Sequence, residues 1–214
     1  MKDILLQPLL NKIIVFILGI CAIVLVFFVY SQGFVRIDKL NTRGDYKVIQ
    51  EEQIPYESVS TFFVAEGYLF LFYDNSGLVN VYSTDGVFQY GIQVFTSTSG
   101  RGKITFSNGS LFIHSRLHII YEFVGTNCVN CIDWTNKITR TEFARAEKVF
   151  ETVNSTVWDC YQYTMAPNRS GISRQKENGP SELIIEFPQI NSGAYVIALI
   201  FIGFFFVLIW LEDK

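Results

Sequence analysis

Two long, uncharged apolar runs bracket this chain and limit what the rest of it is free to become. The first covers residues 13–35, between Lys12 and Arg36, and reads IIVFILGICAIVLVFFVY as far as Tyr30. The second covers residues 187–211, ends at Glu212 and contains AYVIALIFIGFFFVLIWL. A bilayer core about 30 Å thick takes roughly 20 residues of apolar helix to cross, and both runs reach that length. A charge in mid-bilayer costs several kcal/mol, and neither run holds one. Neither shows the polar face that a soluble helix of this length carries. Tyr195 and Trp210 stand near the ends of the second run, where an aromatic belt places them. The expected layout is a tail at 1–12, a transmembrane helix at 13–35, an extramembrane domain at 36–187, a second transmembrane helix at 190–211 and a tail at 212–214.

The first run is longer than a signal-peptide core, and Val29-Tyr30-Ser31-Gln32-Gly33 makes a poor cleavage site. It reads as an uncleaved signal anchor. A short basic tail ahead of such an anchor favours both termini in the cytoplasm and the domain outside. Arg36, Lys39 and Arg43 pull the other way, but long loops translocate largely regardless of charge. Outside the tails, 14 Lys and Arg face 17 Asp and Glu, dispersed without a basic stripe. That excludes nucleic acid as an expected partner and strong electrostatic docking onto anionic lipid. Ala194, Ala198 and Gly203 in one run, and Gly19 and Ala22 in the other, offer close-approach points for helix packing.

Between the runs the pattern is that of strands. Short stretches rich in Phe, Tyr, Val and Ile are cut by Asp74-Asn75-Ser76-Gly77, Asp85-Gly86 and Asn108-Gly109, which have hairpin-turn chemistry. Glu142–Phe150 alone reads as helix. A period also emerges. Glu66-Gly67-Tyr68-Leu69-Phe70 falls on Asn108-Gly109-Ser110-Leu111-Phe112, and Phe62 and Val64 fall on Ile104 and Phe106, all 42 residues apart. Upstream, Arg43-Gly44-Asp45-Tyr46 falls on Asp85-Gly86-Val87-Phe88 at the same offset. Beyond the second match the register shortens by three, so that Val81-Tyr82 meets Ile120-Tyr121.

A repeat of about 40 residues with four short strands is the blade of a β-propeller. Over residues 43–125 the chain resembles the six-bladed propellers of the NHL and related families of bacterial membrane-anchored proteins. The resemblance implies a fold and no particular activity. The expected fold class is an all-β extramembrane domain of propeller-like blades, with a β-meander or sandwich as the alternative, flanked by two transmembrane α-helices. A third, degraded copy is expected over 148–187, where Leu183–Phe187 echoes His118–Phe123. Three copies fall short of a closed ring, which takes about four to eight blades. Either several chains complete the array, or the segment from Cys128 to Pro188 caps its open edge.

Candidate chemistry is sparse. Cys128-Val129-Asn130-Cys131 is a CxxC, and His114 and His118 form an HxxxH nearby, so His114, His118, Cys128 and Cys131 make a weak zinc set of the right ligand types. Outside the cytoplasm, Cys160 is expected to pair with Cys128 or Cys131, or the CxxC to close on itself; Cys21 sits within the first run as a small apolar residue. Asn108, Asn154 and Asn168 fit the glycosylation pattern and matter only in a eukaryotic secretory host. Asp133 and Asp159, beside Trp134 and Trp158, read as solvated surface acids, and Tyr68, Phe70, Phe72 and Tyr73 as core. No catalytic motif is present, two histidines leave little acid–base capacity, and no cofactor is expected. The sequence thus points to a two-pass membrane protein presenting a β-rich binding domain, a protein-interaction or assembly subunit whose partners are the bilayer and another protein or further copies of itself. A membrane sensor or signalling subunit and an envelope hydrolase using Asp133 or Asp159 are the alternatives.

Overall fold

Short apolar runs between tight turns build a chain of antiparallel hairpins in the computed structural model, and runs such as Tyr68–Tyr73 and Leu78–Ser83 are buried on both faces. The structure describes residues 37–188 apart from 56, 98–99, 117, 136–138 and 152–154, together with Gly19, Ile20 and Ile23. The expected membrane segments 13–35 and 190–211 and the tails 1–12 and 212–214 otherwise lie outside the described residues. Among the described residues, no helix is long and apolar enough to cross a membrane.

Phe34–Phe187 forms one unit and holds three antiparallel sheets, which makes it mostly β. The first sheet is the meander β2 (Thr61–Ala65), β3 (Tyr68–Tyr73), β4 (Leu78–Ser83) and β5 (Phe88–Val94), with β1 (Tyr46–Ile49) added outside β5. The second is β6 (Lys103–Ser107), β7 (Ser110–His114), β8 (Ile119–Val124) and β9 (Asn127–Asp133). The third is β10 (Val157–Trp158), β11 (Tyr161–Met165), β12 (Gly171–Lys176) and β13 (Ser181–Glu186). Each holds four consecutive strands in chain order.

The opening hairpin of each meander turns through two residues of positive φ: Glu66 (48°) and Gly67 (78°), Asn108 (51°) and Gly109 (77°), Asp159 (45°) and Cys160 (64°). These are the mirror-image turns whose twist matches the strands they join. Cross-strand pairing corrects the expected register in two places. Leu69 pairs with Tyr82, and Leu111 with Phe123. The offset between the first two meanders therefore shortens by one residue, not three, and Tyr82 corresponds to Phe123. In the third meander Leu183 belongs to the last strand, whereas the His118 segment leads into the third strand of its sheet. That echo aligned strands of different rank; β12 is the counterpart of β8.

The sheets stack with the first in the middle. Its Phe70, Phe72, Val79 and Val81 pack against Leu111, Ile113, Tyr121 and Phe123 of the second. Its opposite face, with Leu69, Leu71, Leu78 and Tyr82, packs against Tyr163, Ile172 and Ile185 of the third. Because Leu111 corresponds to Leu69 and Tyr163 to Phe70, both junctions set the same face of one meander against the opposite face of the next. The later strands of the segment after Cys128, those of the third sheet, cover the far side of the first.

Arginine–aspartate clamps accompany these junctions. Arg116, in the β7–β8 turn, donates from Nε and Nη2 to the two carboxylate oxygens of Asp74 at 2.9 and 2.7 Å, joining the second sheet to the first. Arg174 of β12 reaches Asp85 and the Thr84 carbonyl, joining the third to the first. Arg43 donates to both oxygens of Asp133 at 3.2 and 3.0 Å, tying the segment before β1 to the end of β9.

Candidate functional site

The outer face of the second sheet is covered by a short helix, α1 (Arg140–Glu147), instead of another sheet. Thr139 and Glu142 start it with reciprocal side-chain to backbone bonds, the capping box that satisfies two orphan N–H groups. The sequence pattern placed this helix slightly late, over Glu142–Phe150; its last turn is a 3-10 segment, Lys148–Glu151. Phe143 is the buried residue of α1. Its ring lies edge-on to His114 (5.6 Å between centroids), His118 (5.8 Å) and Trp134 (5.8 Å). Phe150 adds a second ring 5.7 Å from His114.

His114 is the ionisable centre of this cluster. It is 5% exposed, and its Nδ1 makes no hydrogen bond. Glu147 Oε1 lies 3.6 Å away, and Lys103 Nζ stands 3.9 Å from the same oxygen. Burial holds the imidazole below its ordinary value, outweighing the pull of Glu147 in the other direction. His118, at φ 58°, is exposed on the β7–β8 turn with its ring 5.9 Å from His114.

The four weak zinc candidates do not meet. Cys131 pairs with Tyr121 and Cys128 with Phe123, and both aromatic residues face the first sheet. A bulge at Val129 keeps both thiols on that inner face, whereas His114, paired with Ile120, is on the outer one. Two ligands on each side of one sheet cannot share an ion. Among the described residues no group of three or more His, Cys, Asp or Glu is placed to hold a metal.

Cys128, Cys131 and Cys160 are free thiols. Cys160 occupies the β10–β11 turn of the third sheet, apart from the other two, so the expected bridge does not form here. Burial pushes the Cys128 thiol up and that of Cys131 to about 11. Both stay protonated at neutral pH, without the thiolate character that redox or metal chemistry uses.

Asp133 is not a solvated acid. Its side chain is 6% exposed and accepts bonds from Arg43 and from the Thr135 amide and hydroxyl. Those donors hold its carboxyl at about 2, ionised and fully engaged. Asp159 is exposed in its turn, as a solvated acid is. Phe70, Phe72 and Tyr73 are core, while Tyr68 is 43% exposed. Asn108 is an exposed turn residue, Asn168 lies in the 3-10 turn Pro167–Arg169, and Asn154 is outside the described residues. A groove of about 420 Å³ beside the β10–β11 turn is lined in part by the free thiol of Cys160 together with Tyr161, Gln162, Gln175, Lys176 and Glu177.

Sequence reasoning missed Glu147, Lys103 and Phe150 as partners of His114. The available signal was Thr139-x-x-Glu142 ahead of Phe143, a helix start with one large apolar residue to dock. Compared with protein-family models and with curated proteins, the chain matches none, so its function is argued from the geometry.

Proposed function

We propose that this chain is a two-pass membrane protein whose β unit serves as an interaction or assembly module held at the bilayer surface. The observation that carries this reading is the coincidence of boundaries. The folded unit Phe34–Phe187 fills the interval between the apolar runs 13–35 and 187–211, each long enough to span a bilayer. The use of its charged groups agrees. Asp74, Asp85 and Asp133 are all engaged by arginines in joining elements, which suits a scaffold better than the hydrolase alternative. Three four-stranded meanders stacked in one sense also support kinship with propeller blades, as an open arc and not a ring.

Cross-linking mass spectrometry on native membranes tests the module reading. Links from residues 37–188 to a second protein, or to a second copy, are expected. A chain that cross-links only within itself, and purifies as a monomer with no companion, overturns it. Orientation has its own measurement. In a Cys131→Ser background, exposed Cys160 is expected to react with a membrane-impermeant maleimide in intact cells, and reaction only after lysis places the unit inside.

A further inference from the structure

The two ends of the stack are finished by different chemistry. On the free face of the third sheet, Gln162, Thr164 and Gln175 stand where the first sheet has Leu69, Leu71 and Tyr82. All three are exposed. A repeat with a polar outer side is how a stacked array ends permanently. The outer face of the second sheet is mixed. Lys103 and Asn130 are exposed there and Glu122 is half-buried, while Thr105, His114 and Ile120 are each at most 5% exposed and depend on α1 for cover. That helix is eight residues long and buries one side chain, Phe143. Isolated helices of that length are not stable in water, so its place is set by what it docks on, and at the centre of the dock lies an imidazole whose Nδ1 has no hydrogen-bond partner.

We propose that α1 is an acid-released cap: protonation of His114 undocks the helix and bares the outer face of the second sheet. The groups facing His114 are Glu147 from α1, Lys103 from β6 and His118 from the β7–β8 turn; Phe143 and Phe150 complete its surroundings. Of the charged groups, Glu147 favours the proton, while Lys103 and His118 oppose it, and burial opposes it most. The Glu147 carboxylate is also shared with Lys103, so it offsets only part of the cost of a buried imidazolium. Docked, His114 binds its proton below the ordinary value of 6.5; undocked, it returns to that value. The advantage of the docked state is therefore complete above about pH 6.5 and shrinks as pH falls towards the docked value, by up to about tenfold in the docking equilibrium per pH unit.

Amide hydrogen exchange on the full chain in lipid nanodiscs tests this, with rates corrected for their intrinsic pH dependence. Between about pH 7.5 and about pH 5, protection of Arg140–Glu147 should fall by up to about tenfold per unit, while β3 and β4 keep theirs. His114→Phe places a third ring between Phe143 and Phe150 with nothing to titrate, and should abolish the response. His114→Gln, neutral and polar, should abolish it too, whatever protection it sets at neutral pH. Constant or rising protection of α1 on acidification overturns the proposal, and so does a wild-type response in either variant.

Discussion

At the scale of single residues, arginine–aspartate clamps attach parts of this protein that are far apart in sequence. Asp133 illustrates why that was hidden in the sequence. Beside Trp134 and Thr135 it reads as a surface acid, and its partner Arg43 is 90 positions away. No local pattern announces such a pair; only the folded path past β9 brings them together. The consequence is measurable. The carboxyl sits at about 2 in the folded chain against an ordinary 3.8. A depressed carboxylate adds stability that is complete above the ordinary value and is lost as pH falls through the folded one. The clamp thus contributes about 2 kcal/mol at neutral pH, fading between about pH 4 and about pH 2. Asp133→Asn should lower the unfolding free energy of the full chain in detergent by that amount at pH 7 and remove that part of its acid sensitivity. Urea titrations at a series of pH values read both effects, and a variant whose loss is the same at pH 7 and pH 2 would show that packing, not charge, is at stake.

At the scale of elements, the hairpins were legible because they are written in turns. Asn108-Gly109 and Glu66-Gly67 share a two-residue turn with nearly identical φ values, and a mirror-image turn demands positive φ at both places. Strand positions were equally legible, since β3 and β7 announce themselves as short apolar runs bounded by turn residues. What failed was ranking within the third meander. Its opening turn is Asp159-Cys160, with cysteine where the others have glycine, so the marker that aligned the first two copies was gone. The same comparison yields a substitution. Glu66 holds φ 48°, a conformation costly for most side chains and routine for asparagine, and its counterpart Asn108 already uses the better residue. Glu66→Asn should stabilise the chain by about 0.5–1 kcal/mol, and Asn108→Glu should cost a similar amount. Paired chemical denaturation curves decide it. If Glu66→Asn destabilises, the glutamate side chain has a role that its backbone conformation does not explain.

At the scale of the whole molecule, the stacking order was beyond the sequence, because faces of equal hydrophobicity do not say which sheet they meet. Consecutive meanders suggest consecutive neighbours, yet the first sheet ends up between the second and the third. That order ranks the parts by stability. Leu69, Leu71, Leu78, Val79 and Val81 of the central sheet are entirely buried, and releasing them requires both outer sheets to leave. The second sheet is held by six large buried side chains, Ile104, Leu111, Ile113, Ile119, Tyr121 and Phe123, and by a clamp whose two side chains are each 11% exposed. The third is held by Tyr163, Ile172, Ile185 and Phe187, and by a clamp whose aspartate, Asp85, is 73% exposed. Exposed ion pairs contribute little, so this junction rests on the smaller apolar contact. Sub-global opening should begin there. In native-state exchange with rising urea, amides of β11 and β12 are expected to merge into a shared opening at the lowest denaturant, those of β7 and β8 next, and those of β3 and β4 only with global unfolding. Arg116→Ala, which leaves Asp74 nearly buried without its cation, should bring β7 and β8 down to or below the level of β11 and β12. If β12 and β3 instead exchange through one opening with one dependence on urea, the three sheets behave as a single cooperative block, and the stack has no weaker junction.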